Sequence, residues 1–387
     1  MTENETLSTV HDIMAEFAAR TGLITGLPPT RYLWTDAFAV CNYLGLYTAT
    51  GEDQYRDLAT HLIDQVHHVL GKHRPGAPQE GWLSDLEGQE AEAHPTSGGL
   101  RIGKKLPERG VDERFDQQLE WDRDGQYFHY LAQWMHALDR AAHVLDDLTY
   151  NRWAMELAER VHAAFVYRPA AGGPPRMYWK MSVDLSRPLV PTMGHHDPLA
   201  AYVTYRALAA TSPCTPDWPD LTAEIGDAEE MIWGRDWTTE DPLGIGGLLA
   251  DAYRVAQLVA TRDFDHADLA LVLLESALIG LMGYAEQGPL NQPAAHRLGF
   301  RELGLSIGLR AGERLPALIE REPDRFDRKE LLRQRLQSLQ GYLPMAGQIE
   351  RFWLEPSNRA TRTWQEHLDI NEVMLATSLA PDGYLER

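Results

Sequence analysis

Apolar residues along this chain fall into two kinds of run, and the two kinds alternate. The run DAFAVCNYLGLYTAT, within a unit extending from Leu33 to about Leu70, is apolar on most of its faces. Beyond the polar turn Gly51-Glu52-Asp53, the run YRDLATHLIDQVHHVL instead sets Tyr55, Leu58, Leu62, Ile63, Val66 and Val69 at helical spacing along one stripe. A helix that is apolar all round must be enclosed, whereas a helix with one apolar stripe lies between core and solvent. The pair therefore predicts a buried inner helix followed by a half-exposed outer one.

The same phrase returns four more times. From Gln126 to Val166, YFHYLAQWMHALDRAAHVL is followed by the turn Asp146-Asp147 and YNRWAMELAERVHAAFV. A third unit opens at Asp197-Pro198 with PLAAYVTYRALAA and resumes after a proline-rich turn, Pro213 to Pro219, with LTAEIGDAEEMIW. A fourth opens at Asp241-Pro242 with GIGGLLADAYRVAQLVA and resumes after Asp263 with DHADLALVLLESALIGLMGY, the most apolar segment of the chain. A fifth pairs RLGFRELGLSIGLRAGERL with RKELLRQRLQSLQGYLPMAGQI. One segment is left at each end: TLSTVHDIMAEFAART, with no inner helix before it, and WQEHLDINEVMLATSL from Trp364, with no outer helix after it. Pairing these two predicts a sixth hairpin that closes a ring, and hence one all-α domain over residues 1–387. Strand-type alternation is scarce; RMYWKMSVDL near Met177 is expected to form a small hairpin or to line the mouth of the ring. The segment from about Arg74 to Gln118 breaks the rhythm and is expected to cover that mouth.

This apolar-helix, short-turn, amphipathic-helix phrase, together with the opening Trp34-Thr35-Asp36, resembles the six-hairpin glycosidase superfamily over essentially the whole chain. The resemblance implies an all-α fold of the (α/α)6 toroid class. It also implies a carbohydrate-active enzyme acting on a small-molecule carbohydrate, with a glycoside hydrolase as the leading expectation. A second resemblance, to the N-acylglucosamine 2-epimerase family, implies a similar toroid in which histidines move the proton. A fold that hosts several chemistries leaves a third expectation open, a non-catalytic sugar-binding or scaffold protein.

Composition narrows the partners. Hydrophobic residues make up 44% and charged residues 24% of the 387, as in an ordinary globular protein. The formal charge of −21 argues against nucleic acid, whose phosphates need clustered Lys and Arg. No apolar run is read as reaching the length of about 20 residues that a membrane span requires, and the first turns of the chain are acidic and amphipathic. The expectation is a cytoplasmic protein with no membrane partner, either a single chain or a homo-oligomer. Cys41 and Cys214 stand far apart in no metal-binding or redox pattern. HExxH, GxSxG, P-loop and GxGxxG signatures are absent, so no metal and no cofactor is expected.

In a ring of parallel inner helices, the loops that precede them meet at one end, and chemistry is sought there. Trp34 and Asp36; Glu120, Trp121, Asp122 and Asp124; His195, His196 and Asp197; Asp241; His296 and Arg297; and Trp364, Glu366 and His367 all stand at or before an inner helix. Sugars need aromatic faces for their C–H surfaces and polar groups for their hydroxyls, and glycoside cleavage needs two carboxyl groups. Asp197, Glu366, Asp122 and Asp36 are accordingly the catalytic candidates, with Asp197 as acid and Glu366 as base. Trp34, Glu120, Trp121, Trp179, His195, His196, His296, Arg297, Trp364 and His367 are the candidate sugar ligands. Each has a plainer reading. Asp before Pro is also what a helix start looks like, so Asp197 and Asp241 could be caps alone. Asp124-Gly125 reads as a turn, and Asp36 and Glu366 would suit a helix N-terminus electrostatically. Arg101, Lys104 and Lys105 form a local basic group that reads either as a solvated face or as a contact for an anionic sugar substituent. If the histidines carry the reaction, His195, His196, His296 and His367 are the candidates.

Overall fold

The computed structural model describes residues 2–261, 264 and 266–387. The turn expected at Asp263 lies outside the described residues. The chain forms two compact units, Ala18–Trp233 and Met1–Phe17 with Gly234–Arg387. The first helix, α1 (Glu3–Arg20), contains the boundary at Phe17.

In the Ala18–Trp233 unit, α2 (Leu33–Thr50) and α3 (Asp53–Leu70) form the first predicted hairpin. After the short helices α4 (Gly88–Ala93) and α5 (Gln117–Asp122) come α6 (Phe128–Leu145) with α7 (Thr149–Phe165), and then α8 (Asp197–Thr211) with α9 (Thr222–Ile232). Helix α6 packs against both α2 and α8, and each of these three carries an outer partner. The inner and outer roles follow the sequence pattern. Leu33, Phe38, Val40, Tyr43 and Leu44 of α2 are buried around its circumference, while in α3 burial is confined to the stripe of Tyr55, Ala59, Leu62, Ile63, Val66 and Leu70. Full burial of one such side chain stabilises by about 1.5–3 kcal/mol. Asp146 takes a left-handed conformation and ends α6 at the predicted turn.

Two small sheets sit between these helices. Strands β1 (Gln126–Tyr127), β4 (Lys180–Met181) and β5 (Pro188–Val190) form one in the order β1-β4-β5, and β2 (Val166–Tyr167) pairs with β3 (Arg176–Met177) in the other. The strand-like stretch near Met177 thus pairs outward with three other segments, β1, β2 and β5, and does not form a hairpin on itself.

The second unit contains α10 (Pro242–Thr261), α11 (Ala267–Glu286), α12 (Gly299–Arg321), α13 (Lys329–Gln340), α14 (Pro344–Leu354), α15 (Pro356–Arg359), α16 (Arg362–Gln365), α17 (Leu368–Leu379) and α18 (Asp382–Leu385). Helix α12 packs against α10, α13, α14 and α17. Its contact with α10 is close because glycines meet there: a Cβ on Gly246 would lie 2.0 Å from the Gly304 carbonyl oxygen, and one on Gly308 would lie 2.3 Å from that of Gly246. The fifth outer run is broken into α13 and α14, with Pro344 opening the second piece. Trp364 does not open the last inner helix as expected. It belongs to the single turn α16, and α17 begins at Leu368.

One apolar run does reach membrane-spanning length, against the expectation from sequence. The stretch Asp268–Asn291, which includes most of α11, is long and apolar enough to cross a membrane by length and composition. Leu271, Leu273, Leu274, Ala277 and Leu281 are buried within the unit, the pattern of a core-facing helix, while Val272, Ile279 and Met282 are exposed.

Candidate functional site

The start of α2 is fixed by its own sequence. Asp36, in the first turn, reaches back so that its Oδ2 accepts the backbone N–H of the N-cap residue Tyr32 at 2.8 Å, which satisfies one of the unpaired amides of the helix start. Its Oδ1 lies 3.3 Å from Arg31 Nη1, with both side chains buried. The carboxylate of Asp36 is thereby committed to the helix start, and the residues it orients are Tyr32 and Trp34.

The start of α6 is fixed by the sheet. Tyr127 pairs with Lys180, whose ammonium is fully buried and donates to Glu120 Oε1 at 2.9 Å and to the carbonyls of Glu120 and Arg123 at 2.8 and 2.9 Å. Burial lowers the Lys180 ammonium from its usual value and Glu120 works in the other direction. Glu120 Oε2 accepts from Arg109 Nε at 3.0 Å. Glu120 is therefore engaged on both oxygens by cations and holds the platform in place.

On this frame stands a cluster of rings. His129 and Tyr130, in the first turn of α6, lie 5.5 and 5.2 Å from Trp34 between ring centroids, and Tyr127 lies 5.6 and 5.3 Å from the same two rings. Tyr32 and Tyr130 share a hydrogen bond of 2.7 Å between their hydroxyls. Outward of Tyr127 come Trp179 at 5.6 Å and then Trp121, edge-on to Trp179 at 5.0 Å and 47% exposed. The aromatic surface thus runs from a buried end at Trp34 to an open end at Trp121.

Asp197 closes the buried end. It is the first residue of α8, and its Oδ1 lies 3.9 Å from His129 Nδ1. Gly194 folds against the carboxyl, where a Cβ would stand 2.4 Å from Oδ2. Burial pushes the Asp197 carboxyl up to about 7, with the Gly194 amide acting weakly the other way. Burial likewise pushes the His129 imidazole down to about 4. At mildly acidic pH both groups rest in neutral forms, an acid that holds a proton beside an imidazole that lacks its second one.

Three buried polar atoms in this cluster make no hydrogen bond within the described chain: Trp34 Nε1, His129 Nδ1 and Asp197 Oδ2. Leaving a buried donor or acceptor unpaired costs about 1–3 kcal/mol each, so three in contact call for an explanation. A donor, an acid and an imidazole nitrogen beside aromatic faces are what a polyhydroxylated ligand would satisfy.

The remaining candidates of this unit flank the cluster. His195 is exposed and His196 half-buried, with ring centroids 4.6 Å apart, in the loop that leads to Asp197. Asp122 is exposed at the end of α5 and forms no ion pair among the described residues. Asp124 is fully buried and takes Arg101 Nη1 at 2.6 Å on one oxygen and the Gly103 N–H at 3.0 Å on the other, which fixes the segment around Arg101. Sequence reasoning passed over Tyr32, Tyr127, His129 and Tyr130. The available signal was the imidazole in YFHY, a polar ring in the first turn of an otherwise apolar inner helix.

In the second unit the predicted residues are largely engaged or exposed. Arg297 is buried, gives three guanidinium bonds of 2.7–3.1 Å to Glu302, and lies over the Phe352 ring at 3.6 Å. Glu302 also accepts from Trp353 Nε1 at 2.8 Å, and Trp353 stacks on the buried Trp364 at 5.0 Å. Arg297 and Trp364 thus build the interior of this unit. Glu366 is exposed and pairs with Arg362 at 2.6 Å. His296 and His367 are exposed, the latter edge-on to Phe300 at 5.3 Å. Asp241 caps α10, its Oδ1 accepting the Leu243 N–H at 3.1 Å, and its Oδ2 pairs with Arg301.

No protein-family model matches the chain, and no curated protein matches it. Solved structures do. A GH76 alpha-mannanase from Bacteroides thetaiotaomicron shares 9% identity over 98% of this chain and 97% of its own, with a TM-score of 0.56. A sugar epimerase from a ruminal bacterium shares 11% identity over 89% of this chain and 87% of its own, with a TM-score of 0.48. A cellobiose 2-epimerase from Spirochaeta thermophila shares 12% identity over 95% of this chain and 97% of its own, also at 0.48. The likeness to the mannanase is one of fold, and the chain has an all-α fold of the (α/α)6 toroid class.

Proposed function

We propose that this chain is a carbohydrate-active enzyme and, within that class, a glycoside hydrolase whose general acid is Asp197. The observation that carries the reading is the set of three unpaired buried atoms, Trp34 Nε1, His129 Nδ1 and Asp197 Oδ2, gathered among aromatic rings. A carboxyl pushed up to about 7 holds its proton at the pH where a leaving glycosidic oxygen needs it. Trp34, Tyr127 and Trp179 offer faces for sugar C–H surfaces, and the indole N–H of Trp34 offers a donor to a hydroxyl. Asp122, in the same unit and in no ion pair among the described residues, is the second carboxyl of this reading and activates the water. A fold shared with an alpha-mannanase is consistent with this choice.

The 3.9 Å approach of His129 to Asp197 favours a second reading, a sugar epimerase or aldose-ketose isomerase in which this pair moves a proton at C2. Incubation with a panel of small glycosides and reducing sugars in deuterated water, followed by NMR, separates the two. Release of a reducing sugar supports the hydrolase. Entry of deuterium at C2 without cleavage replaces it with the epimerase, and no change in any sugar removes both.

A further inference from the structure

Lys104 stands at the edge of the aromatic cluster with no ion pair among the described residues. The segment that carries it is rigidly held. Arg101 donates to Asp124 at 2.6 Å and to the carbonyls of Val69 and Lys72 at 2.6 and 2.7 Å, and the Gly103 N–H donates to the other oxygen of Asp124 at 3.0 Å. The Lys104 side chain is half-buried, and its ammonium lies 5.3 Å from the centroid of the Tyr32 ring. Among the described residues it forms no ion pair, although the chain carries 57 acidic against 36 basic side chains. Asp124, the acid its own backbone touches, is already neutralised by Arg101.

From Lys104 the contacts lead directly into the site. Tyr32, under the ammonium, shares its hydroxyl hydrogen bond with Tyr130, and Tyr130 lies 4.6 Å from His129 and 5.2 Å from Trp34. The Lys104 cation is thus joined to Trp34 across Tyr32 and Tyr130, on the side of the cluster where a substituent of a ring bound at Trp34 would reach it. We infer that Lys104 binds an anionic substituent of the sugar, and that the substrate class is a uronic acid or a glycoside of one. A single ammonium with Asp122 and Asp124 in its field suits a monoanionic carboxylate better than a dianionic phosphate ester. The inference rests on the sugar-binding reading above.

Calorimetric titration tests it with three matched pairs, glucose and glucuronate, mannose and mannuronate, galactose and galacturonate, on the wild type, K104Q and K104R. At least one uronate is expected to bind about tenfold or more tightly than its neutral partner. K104Q should abolish that preference while keeping affinity for the neutral sugar, and K104R should retain most of it. Thermal melts verify that each variant is folded. Neutral sugars bound as well as uronates by the wild type, or a preference that survives K104Q, would overturn the role of Lys104 and leave the sugar reading standing. Binding of neither member of any pair would remove the sugar reading as well.

Discussion

The dipeptide Asp-Pro opens an inner helix in each unit, and the two copies have opposite fates. Asp241 lies just outside α10, accepts the Leu243 N–H, and has its other oxygen paired with Arg301. Asp197 lies one residue further in, as the first residue of α8, and its carboxyl turns back over Gly194 toward His129. The first carboxyl has both oxygens answered and is about one-third exposed, while the second is buried with one oxygen unanswered. The same contrast separates the neighbouring groups, for Arg297 and Trp364 are spent on Glu302 and Trp353 whereas Trp34 and His129 keep buried nitrogens unpaired. Function in this molecule is sought where local satisfaction fails.

The largest effect should follow from Asp197→Asn. Removing a general acid lowers turnover by roughly 10²–10⁴-fold, and the amide keeps the shape of the side chain. In the wild type kcat/KM should fall as pH rises through about 7, because the active form is the protonated one. Stability carries the same sign. The folded-state value lies above the unfolded value of about 3.9, so the native state holds the extra proton between the two. The stabilisation from Asp197 is complete below about 4 and is lost as pH rises toward about 7, on the order of a few kcal/mol in all. Urea titrations at several pH values should show this slope in the wild type and a flatter one in D197N. A D197N enzyme of full activity would end the assignment.

Next comes Arg297→Met, which leaves the buried Glu302 with Trp353 as its remaining donor among the contacts described above. Breaking one side of a buried pair typically costs about 3–5 kcal/mol, while replacing both partners with apolar groups costs far less. Equilibrium urea denaturation of R297M, and of R297M with E302M, measures both terms. A neutral single variant would show that Arg297 is not the structural member of this contrast. Gly194→Ala should act on the other side, displacing the Asp197 carboxyl that a Cβ would meet at 2.4 Å. A shift of that size near the reacting groups is expected to cost about 10- to 100-fold in kcat, with the alkaline limb of the pH profile moved. An unaltered profile would mean the carboxyl does not rest on Gly194.

The inner and outer helices were legible in the sequence because burial imposes a periodicity that any window reveals; α2 with α3 and α6 with α7 fall where the pattern puts them. The position of Asp197 was legible as a helix start, but not which way its side chain would turn, since that depends on Gly194 and on His129 from another helix. Glu120 reads in the sequence as a candidate sugar ligand. Lys180 is brought to it by a two-residue strand pairing and Arg109 by the loop before α5, neither of which leaves a periodic trace. His129 carries no loop signal, since it stands inside the first turn of α6 and not ahead of it.

The smallest effect belongs to Asp241→Ala, and it sets the scale for the whole contrast. Loss of an N-cap costs about 0.5–2 kcal/mol. The pair with Arg301, more than one-third exposed on both sides, adds little because solvent screens it, with exposed pairs worth about 0–1 kcal/mol. Thermal unfolding should therefore shift down by about 1–3 °C, since 1 kcal/mol moves the midpoint by roughly 1 °C for a chain of 387 residues. Asp241→Asn should recover most of it, since Asn caps nearly as well as Asp. The corresponding Asp197→Ala change has no cap to remove, and its melt should not fall for that reason. If D197A lost as much helix stability as D241A, and D197N restored it, Asp197 would be a second cap and the two Asp-Pro starts would be alike after all.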